Sequence, residues 1–148
     1  LRSGNKILGY STLVLDILKA VLPVLYIKFF MNDYLYISAL SIFIGHVFPI
    51  WLKFKGGKGV ASYLGILCCL DIFTALIFGA VWISIFILFK FSSLSSLLAS
   101  LTIPIFQFFY NSNSDYYFYF MMFILIFFTH RENIKRLRNN TESKSKIY

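Results

Sequence analysis

Charge is what this sequence has least of. Only 14% of the 148 residues are Asp, Glu, Lys or Arg, and only six of those are acidic. A soluble domain of this length could not hide the rest, because 59% of the residues are hydrophobic and 20% are aromatic. Cysteine is equally scarce. The two present, Cys68 and Cys69, are adjacent inside an apolar run, a spacing that suits neither a disulfide framework nor a metal site. They read as small core hydrophobes. No group of His, Cys, Asp and Glu has metal-ligand spacing, so neither metal nor cofactor is expected. Apolar runs recur along almost the whole length, which a cleaved leader would not explain.

What remains is an all-α integral membrane protein, read as one membrane-embedded domain spanning residues 1–148. Five apolar regions stand out: Tyr10–Phe30, Tyr34–Leu52, Val60–Phe89, Ser92–Tyr110 and Tyr116–Thr129. A spanning helix needs about 20 residues, so Val60–Phe89 is too long for one span, and Asp71 interrupts it. Basic residues stand at Arg2/Lys6, Lys53/Lys55/Lys58, Lys90 and from Arg131 to Lys146. The linkers around Asp33 and Asp115 are acidic or neutral. Two spans turning at Asp71 put every basic cluster on one side, as the positive-inside rule prefers. The result is about six spans with both ends cytoplasmic. Val60–Leu70 then becomes a half-length helix, tolerable if the loop before it is re-entrant and lined by protein. The net charge of +8 serves this topology and anionic partners; nucleic acid is not expected.

That loop is the most informative stretch. Phe54-Lys55-Gly56-Gly57-Lys58-Gly59-Val60 places two lysines and three glycines just before the short helix. A helix N-terminus offers unpaired N–H groups and a positive dipole end, which together suit phosphate. Glycines let something approach the backbone, and Lys55 and Lys58 add charge. The pattern is not a Walker A loop, because Gly59 follows Lys58. A basic loop holding lipid headgroups is the competing reading.

Other polar residues lie within or beside the spans. Asp16 and Lys19 share a helix face and are placed to pair. His46 stands in Gly45-His46-Val47-Phe48-Pro49, near the depth of the glycine loop. Ser92, Ser93, Ser95 and Ser96 read either as small-residue helix packing or as a hydroxyl wall. In His130-Arg131-Glu132-Asn133-Ile134-Lys135-Arg136-Leu137, the residues His130, Asn133 and Leu137 fall on one face, as a polar pocket wall requires.

Taken in order, these motifs resemble the bacterial acyl-phosphate:glycerol-3-phosphate acyltransferases, the PlsY family. The likeness runs from Arg2 through Asp16-Ile17-Leu18-Lys19, the Gly45–Pro49 and Phe54–Ser62 stretches and Ser93–Ser96 to His130–Leu137 and Glu142. It implies seven helices, of which this chain holds six as an N-terminally truncated copy lacking the family's first motif. It also implies transfer of a fatty acyl group from acyl phosphate to the 1-hydroxyl of glycerol 3-phosphate, at the cytoplasmic face of the bacterial inner membrane. Membrane lipids surround the protein. The resemblance makes Lys58, His130, Asn133 and Arg2 catalytic, and Lys55, Gly56, Gly57, Gly59, His46, Ser93 and Ser96 substrate-binding. Acyl phosphate is already activated, so direct attack needs no covalent nucleophile and no metal. A small multi-span anion transporter and an inactive remnant of the acyltransferase are the alternatives. Asn140 stands where the family usually has glycine after the last helix, a position suited to a left-handed residue.

Overall fold

Helices follow where apolar runs are broken by charged or glycine-rich interruptions. A computed structural model describes residues 6–110 and 116–145; Arg2 lies outside the described residues. Among these the chain is all-α: α1 (Lys6–Phe30), α2 (Leu35–Val47), α3 (Val60–Leu70), α4 (Ile72–Phe89), α5 (Ser92–Tyr110), α6 (Tyr116–Thr129) and α7 (Arg131–Arg138). Short 3-10 turns occupy Asn32–Tyr34 and Ile50–Leu52. Asp71 separates α3 from α4, as its charge within an apolar run leads one to expect. Its backbone is extended, and its N–H donates to Leu67 O at 2.9 Å to close the last turn of α3. Lys90 ends α4 with φ 61°, and Asn140 takes φ 55° after α7, the left-handed conformation that asparagine tolerates.

Six apolar helices, α1 to α6, stand where the sequence places six spans, but they differ in reach. Asn32–Leu52, Ile72–Phe89 and Ser92–Tyr110 are long and apolar enough to cross a membrane. α3 and α6 are shorter, with 11 and 14 residues. The count of six is therefore a count of apolar helices, three of which meet the requirements for a full span by length and composition. α4 shows what such a span looks like from outside. Its buried residues are Thr74, Ala75 and Phe78, while Leu76, Ile83, Ile87 and Leu88 project outward. That surface is stable only against lipid.

The chain divides into two compact units, Leu1–Ile72 and Phe73–Tyr148. In the first, α1 lies along α3. Gly65 makes this approach possible, because a methyl group there would lie 3.0 Å from Ile17 O and 3.1 Å from Val21 Cγ2. Ser62 Oγ donates to Asp16 O at 3.1 Å, and Lys28 Nζ donates to Cys69 O at 2.6 Å. The second bond satisfies a carbonyl in the last turn of α3, where a cation also complements the helix dipole. Cys69 is buried, with Sγ 3.8 Å from Val21 O, while Cys68 faces outward. Only one of the pair is thus a core residue.

In the second unit, α4 and α5 are joined by two side-chain bonds. Gln107 Nε2 donates to Thr74 Oγ1 at 2.8 Å, and Trp82 Nε1 donates to Ser96 Oγ at 3.0 Å. Inside an apolar layer such pairs fix the register of neighbouring helices, since an unmatched polar atom there is costly.

The close α1–α3 approach has a measurable consequence. Gly65→Leu should destabilise the protein by about 1–3 kcal/mol through overpacking, read as a lowered thermal midpoint in detergent. An unchanged midpoint would show that the two helices tolerate separation.

Candidate functional site

The glycine loop begins where α2 ends. Phe48 is followed by the rigid Pro49, and the 3-10 turn Ile50–Leu52 leads into Lys53 and Phe54, two consecutive left-handed residues with φ 52° and 61°. Both are tied back into the turn, Lys53 N to Ile50 O and Phe54 N to Pro49 O, each at 3.0 Å. The reversal carries Gly56 back onto α2, where its N–H donates to Val47 O at 3.1 Å.

The three glycines are explained first by α2 itself. A methyl group on Gly56 would collide with the main-chain oxygens of His46 and Val47 and with the Pro49 ring. On Gly57 it would sit 2.6 Å from His46 Nε2. Gly59, with φ 83°, precedes α3 in a conformation few other residues adopt, against the Phe43 ring and Val47. The sequence suggested that a ligand approaches this backbone. The structure shows that the end of α2 approaches it from one side, while Gly56, Gly57, Lys55 and Lys58 remain exposed on the other. What the loop offers an anion is therefore the α3 N-terminus and the two lysines, not the glycines alone.

Depth follows from the α1–α3 contact. Ser62, in the first turn of α3, is level with Asp16, about ten residues or roughly 15 Å along α1 from Lys6. The loop thus sits beside the middle of α1 rather than beyond its end, as a re-entrant loop should. Asp16 pairs with Lys19 at 2.6 Å, and its Oδ1 lies 4.0 Å from Nδ1 of His46.

The second polar cluster belongs to the other unit. His130 joins α6 to α7 and is 2% exposed. Its Nδ1–H donates to Ile126 O at 2.8 Å, which fixes the orientation of the ring. One turn on, Asn133 is buried, and its Nδ2 donates to Glu142 Oε1 at 2.7 Å. Its Oδ1 is buried without a hydrogen-bond partner. Glu142 gathers this region together: Oε1 also accepts from Ser93 Oγ at 2.7 Å, and Oε2 accepts from Arg136 Nε at 2.6 Å. The return of the chain to this point depends on Asn140, after which Thr141 N–H donates to Arg136 O at 2.8 Å.

Burial alone would raise the carboxyl pKa of Glu142. The hydrogen bonds from Ser93, Asn133 and Arg136, together with the Arg136 charge, outweigh that and bring it down to about 2. The carboxylate is therefore ionised under any physiological condition.

Each expected site residue other than Arg2 has a definite place. Lys55, Gly56, Gly57, Lys58, Gly59 and His46 come together at the α2–α3 connection. Ser93 and Asn133 come together on Glu142, with His130 one turn before Asn133. Ser96 is buried and already engaged, accepting from Trp82 and donating to Ser92 O at 2.9 Å. Arg2 lies outside the described residues. Sequence reasoning quoted Glu142 without a role, and it did not single out Lys28 or Trp82, whose partners lie 41 and 14 residues away. Among the described residues no group of three or more His, Cys, Asp and Glu could hold a metal ion.

A multi-span helical protein with a basic loop at helix-dipole depth and buried, pre-fixed hydrogen-bond acceptors belongs to the membrane proteins that handle anionic substrates. Comparison with known proteins narrows this class. Residues 1–140 match the family model described as glycerol-3-phosphate acyltransferase, and the chain belongs to that family. It is 60% identical over 149 aligned positions to a glycerol-3-phosphate acyltransferase of Pelagibacter ubique, covering 100% of this chain and 77% of that one. The corresponding protein of Brucella canis is 44% identical over 144 positions, covering 97% and 72%. Two crystal structures of PlsY, an integral membrane glycerol 3-phosphate acyltransferase, have the same fold at 33% identity. The lysophosphatidic acid form aligns with a TM-score of 0.89, over 98% of this chain and 76% of that one. The glycerol 3-phosphate form aligns with 0.90, over 98% and 74%.

The Glu142 clamp predicts an acid dependence of stability. Its folded pKa of about 2 lies below the ordinary 4.5, so its contribution is complete above about pH 4.5 and is lost as pH falls toward 2. Wild-type thermal midpoints in detergent should drop more steeply over that window than those of Glu142→Gln. Parallel profiles would show that the clamp contributes nothing.

Proposed function

We propose that this chain transfers a fatty acyl group from acyl phosphate to the 1-hydroxyl of glycerol 3-phosphate, yielding lysophosphatidic acid and inorganic phosphate. The 1-hydroxyl oxygen attacks the acyl carbonyl carbon, forming the ester C–O bond. The bond between that carbon and the bridging oxygen breaks, and phosphate leaves with the electron pair. The hydroxyl proton passes to a phosphate oxygen of the substrates. Because the donor is an activated anhydride, the protein supplies position and charge rather than a covalent nucleophile.

Lys58 and Lys55, with the α3 N-terminus and the backbone of Gly56, Gly57 and Gly59, hold phosphate. Arg2 neutralises charge on the substrates. His130 and Asn133 orient the phosphate or the attacking hydroxyl, with Ser93, Ser96 and His46 in supporting places. The observation that carries this reading is Asn133. Its amide is fixed by Glu142, and its buried Oδ1 is left with an acceptor position to fill, the arrangement expected of a group awaiting a substrate hydroxyl. We place the reaction at the cytoplasmic face of the bacterial inner membrane, because the positive-inside reading of the sequence assigns the basic clusters to that side and the donor carries an acyl tail.

Membranes containing the chain, given labelled glycerol 3-phosphate, should form lysophosphatidic acid with acyl phosphate and not with acyl-CoA or acyl carrier protein. Lys58→Ala should lower kcat/KM about a hundredfold while inserting normally. Flux of glycerol 3-phosphate without acyl transfer would overturn the reading in favour of a carrier. Unchanged kinetics in Lys58→Ala would remove that lysine from the site.

A further inference from the structure

His46 poses a problem that a substrate-contacting role does not solve. Its side chain is 7% exposed, and its ring lies beneath the glycine loop with Nε2 directed at the α-carbon of Gly57. Its Nδ1 is buried without a hydrogen bond, facing the Asp16 carboxylate at 4.0 Å. An apolar residue would fill the same space without burying an unmatched nitrogen. Asp16 in turn is held by Lys19 at 2.6 Å, and its main-chain oxygen receives Ser62 Oγ from the first turn of α3. Three elements therefore meet on one imidazole: the middle of α1, the end of α2, and the loop that opens α3.

We propose that Asp16 and His46 form a polar strut that sets the height and tilt of the glycine loop, and thereby the affinity for the phosphate-bearing acceptor. Both are positioning residues, acting through Gly57 rather than on the substrate. The strut has only about an ångström to close before Nδ1 and the carboxylate share a hydrogen bond. Seating of an anion on the other side of the loop presses Gly57 onto the ring and the ring toward Asp16. Lys19, 2.6 Å away, keeps the carboxylate aimed, so it belongs to the same unit. The inference rests on the phosphate role of the loop given above.

The test compares His46→Ala, His46→Gln and Asp16→Asn with the wild-type chain in detergent. KM is measured for each substrate, and the dissociation constant for glycerol 3-phosphate is taken from calorimetry without donor. His46→Ala should raise both KM and Kd for glycerol 3-phosphate about tenfold, the scale of one lost hydrogen bond, while KM for acyl phosphate stays within about twofold. His46→Gln, which restores a polar group of similar reach, should recover part of the affinity. Asp16→Asn should shift the same parameters in the same direction, and the double variant should be no worse than His46→Ala alone. A purely architectural histidine would reduce the amount of active protein and scale kcat, leaving KM and Kd unchanged; that result overturns the proposal. If His46→Ala does not accumulate, His46→Gln and Asp16→Asn carry the comparison. A wild-type chain that binds glycerol 3-phosphate without turning it over refutes the acyltransferase reading alone and leaves the Kd comparison intact. One that does not bind it refutes both.

Discussion

The seating of the glycine loop on the end of α2 is the contact on which the functional half of the first unit depends. It is a van der Waals constraint before it is anything electrostatic. Phe43, His46, Val47 and Pro49 present a surface that leaves no room for a Cβ at positions 56, 57 and 59. The loop can lie flat only as glycine, and once it does, Gly59 turns the chain into α3 beside the middle of α1. A side chain anywhere on that underside would lift the α3 N-terminus, and its dipole with it. The proposed anion site is thus a consequence of close packing between a helix end and a bare backbone, with the lysines added on the open face.

Polar groups elsewhere follow the economy that an apolar surrounding enforces. Lys28 reaches a carbonyl at the end of the short α3, Trp82 meets Ser96, and Gln107 meets Thr74. Each pairing satisfies a polar group in an apolar surrounding and, in doing so, fixes which helices are neighbours and in what register. Glu142 does the same near the C-terminus with a full charge, collecting donors from α5 and α7. Among the buried atoms that break this pattern are His46 Nδ1 and Asn133 Oδ1, which belong to residues singled out for function. Unmatched polarity in so well matched a setting has a cost in stability, and such costs persist where catalysis or binding uses them.

How much of this was legible beforehand depends on the range over which each cause acts. The break at Asp71 was visible because a carboxylate inside an apolar run is a local event. The left-handed turn at Asn140 was visible because it follows from one residue's own conformational freedom. Membrane class followed from composition alone. The neighbour of a glycine is another matter: the loop's composition showed that something comes close, but not that it is the C-terminal end of the preceding helix. The pairing of Ser93 with Glu142 spans 49 residues, and that of Lys28 with Cys69 spans 41. No periodicity in a single sequence encodes such contacts. Span count was legible only as a number of apolar helices, since hydropathy shows where a helix is greasy but not whether its neighbours allow it to be short.

The chemistry explains why so little of the usual catalytic furniture is needed. Acyl phosphate carries its own leaving group, and the acceptor is a primary alcohol bearing a dianion. The difficulty lies in bringing two like-charged molecules together at a lipid surface with the hydroxyl aligned on the carbonyl. Lysines beside a helix dipole address the repulsion. In the proposed scheme a histidine ring oriented by its bond to Ile126 O and an amide held by Glu142 address the alignment, because neither has to reorganise when the substrate arrives. Pre-fixed geometry of this kind is easiest to build where the surroundings are rigid and dry. On that proposal the buried positions of His130 and Asn133 are part of how they act, and Glu142, which touches no reacting atom in the scheme, is as necessary to the geometry as the Asn133 amide it holds.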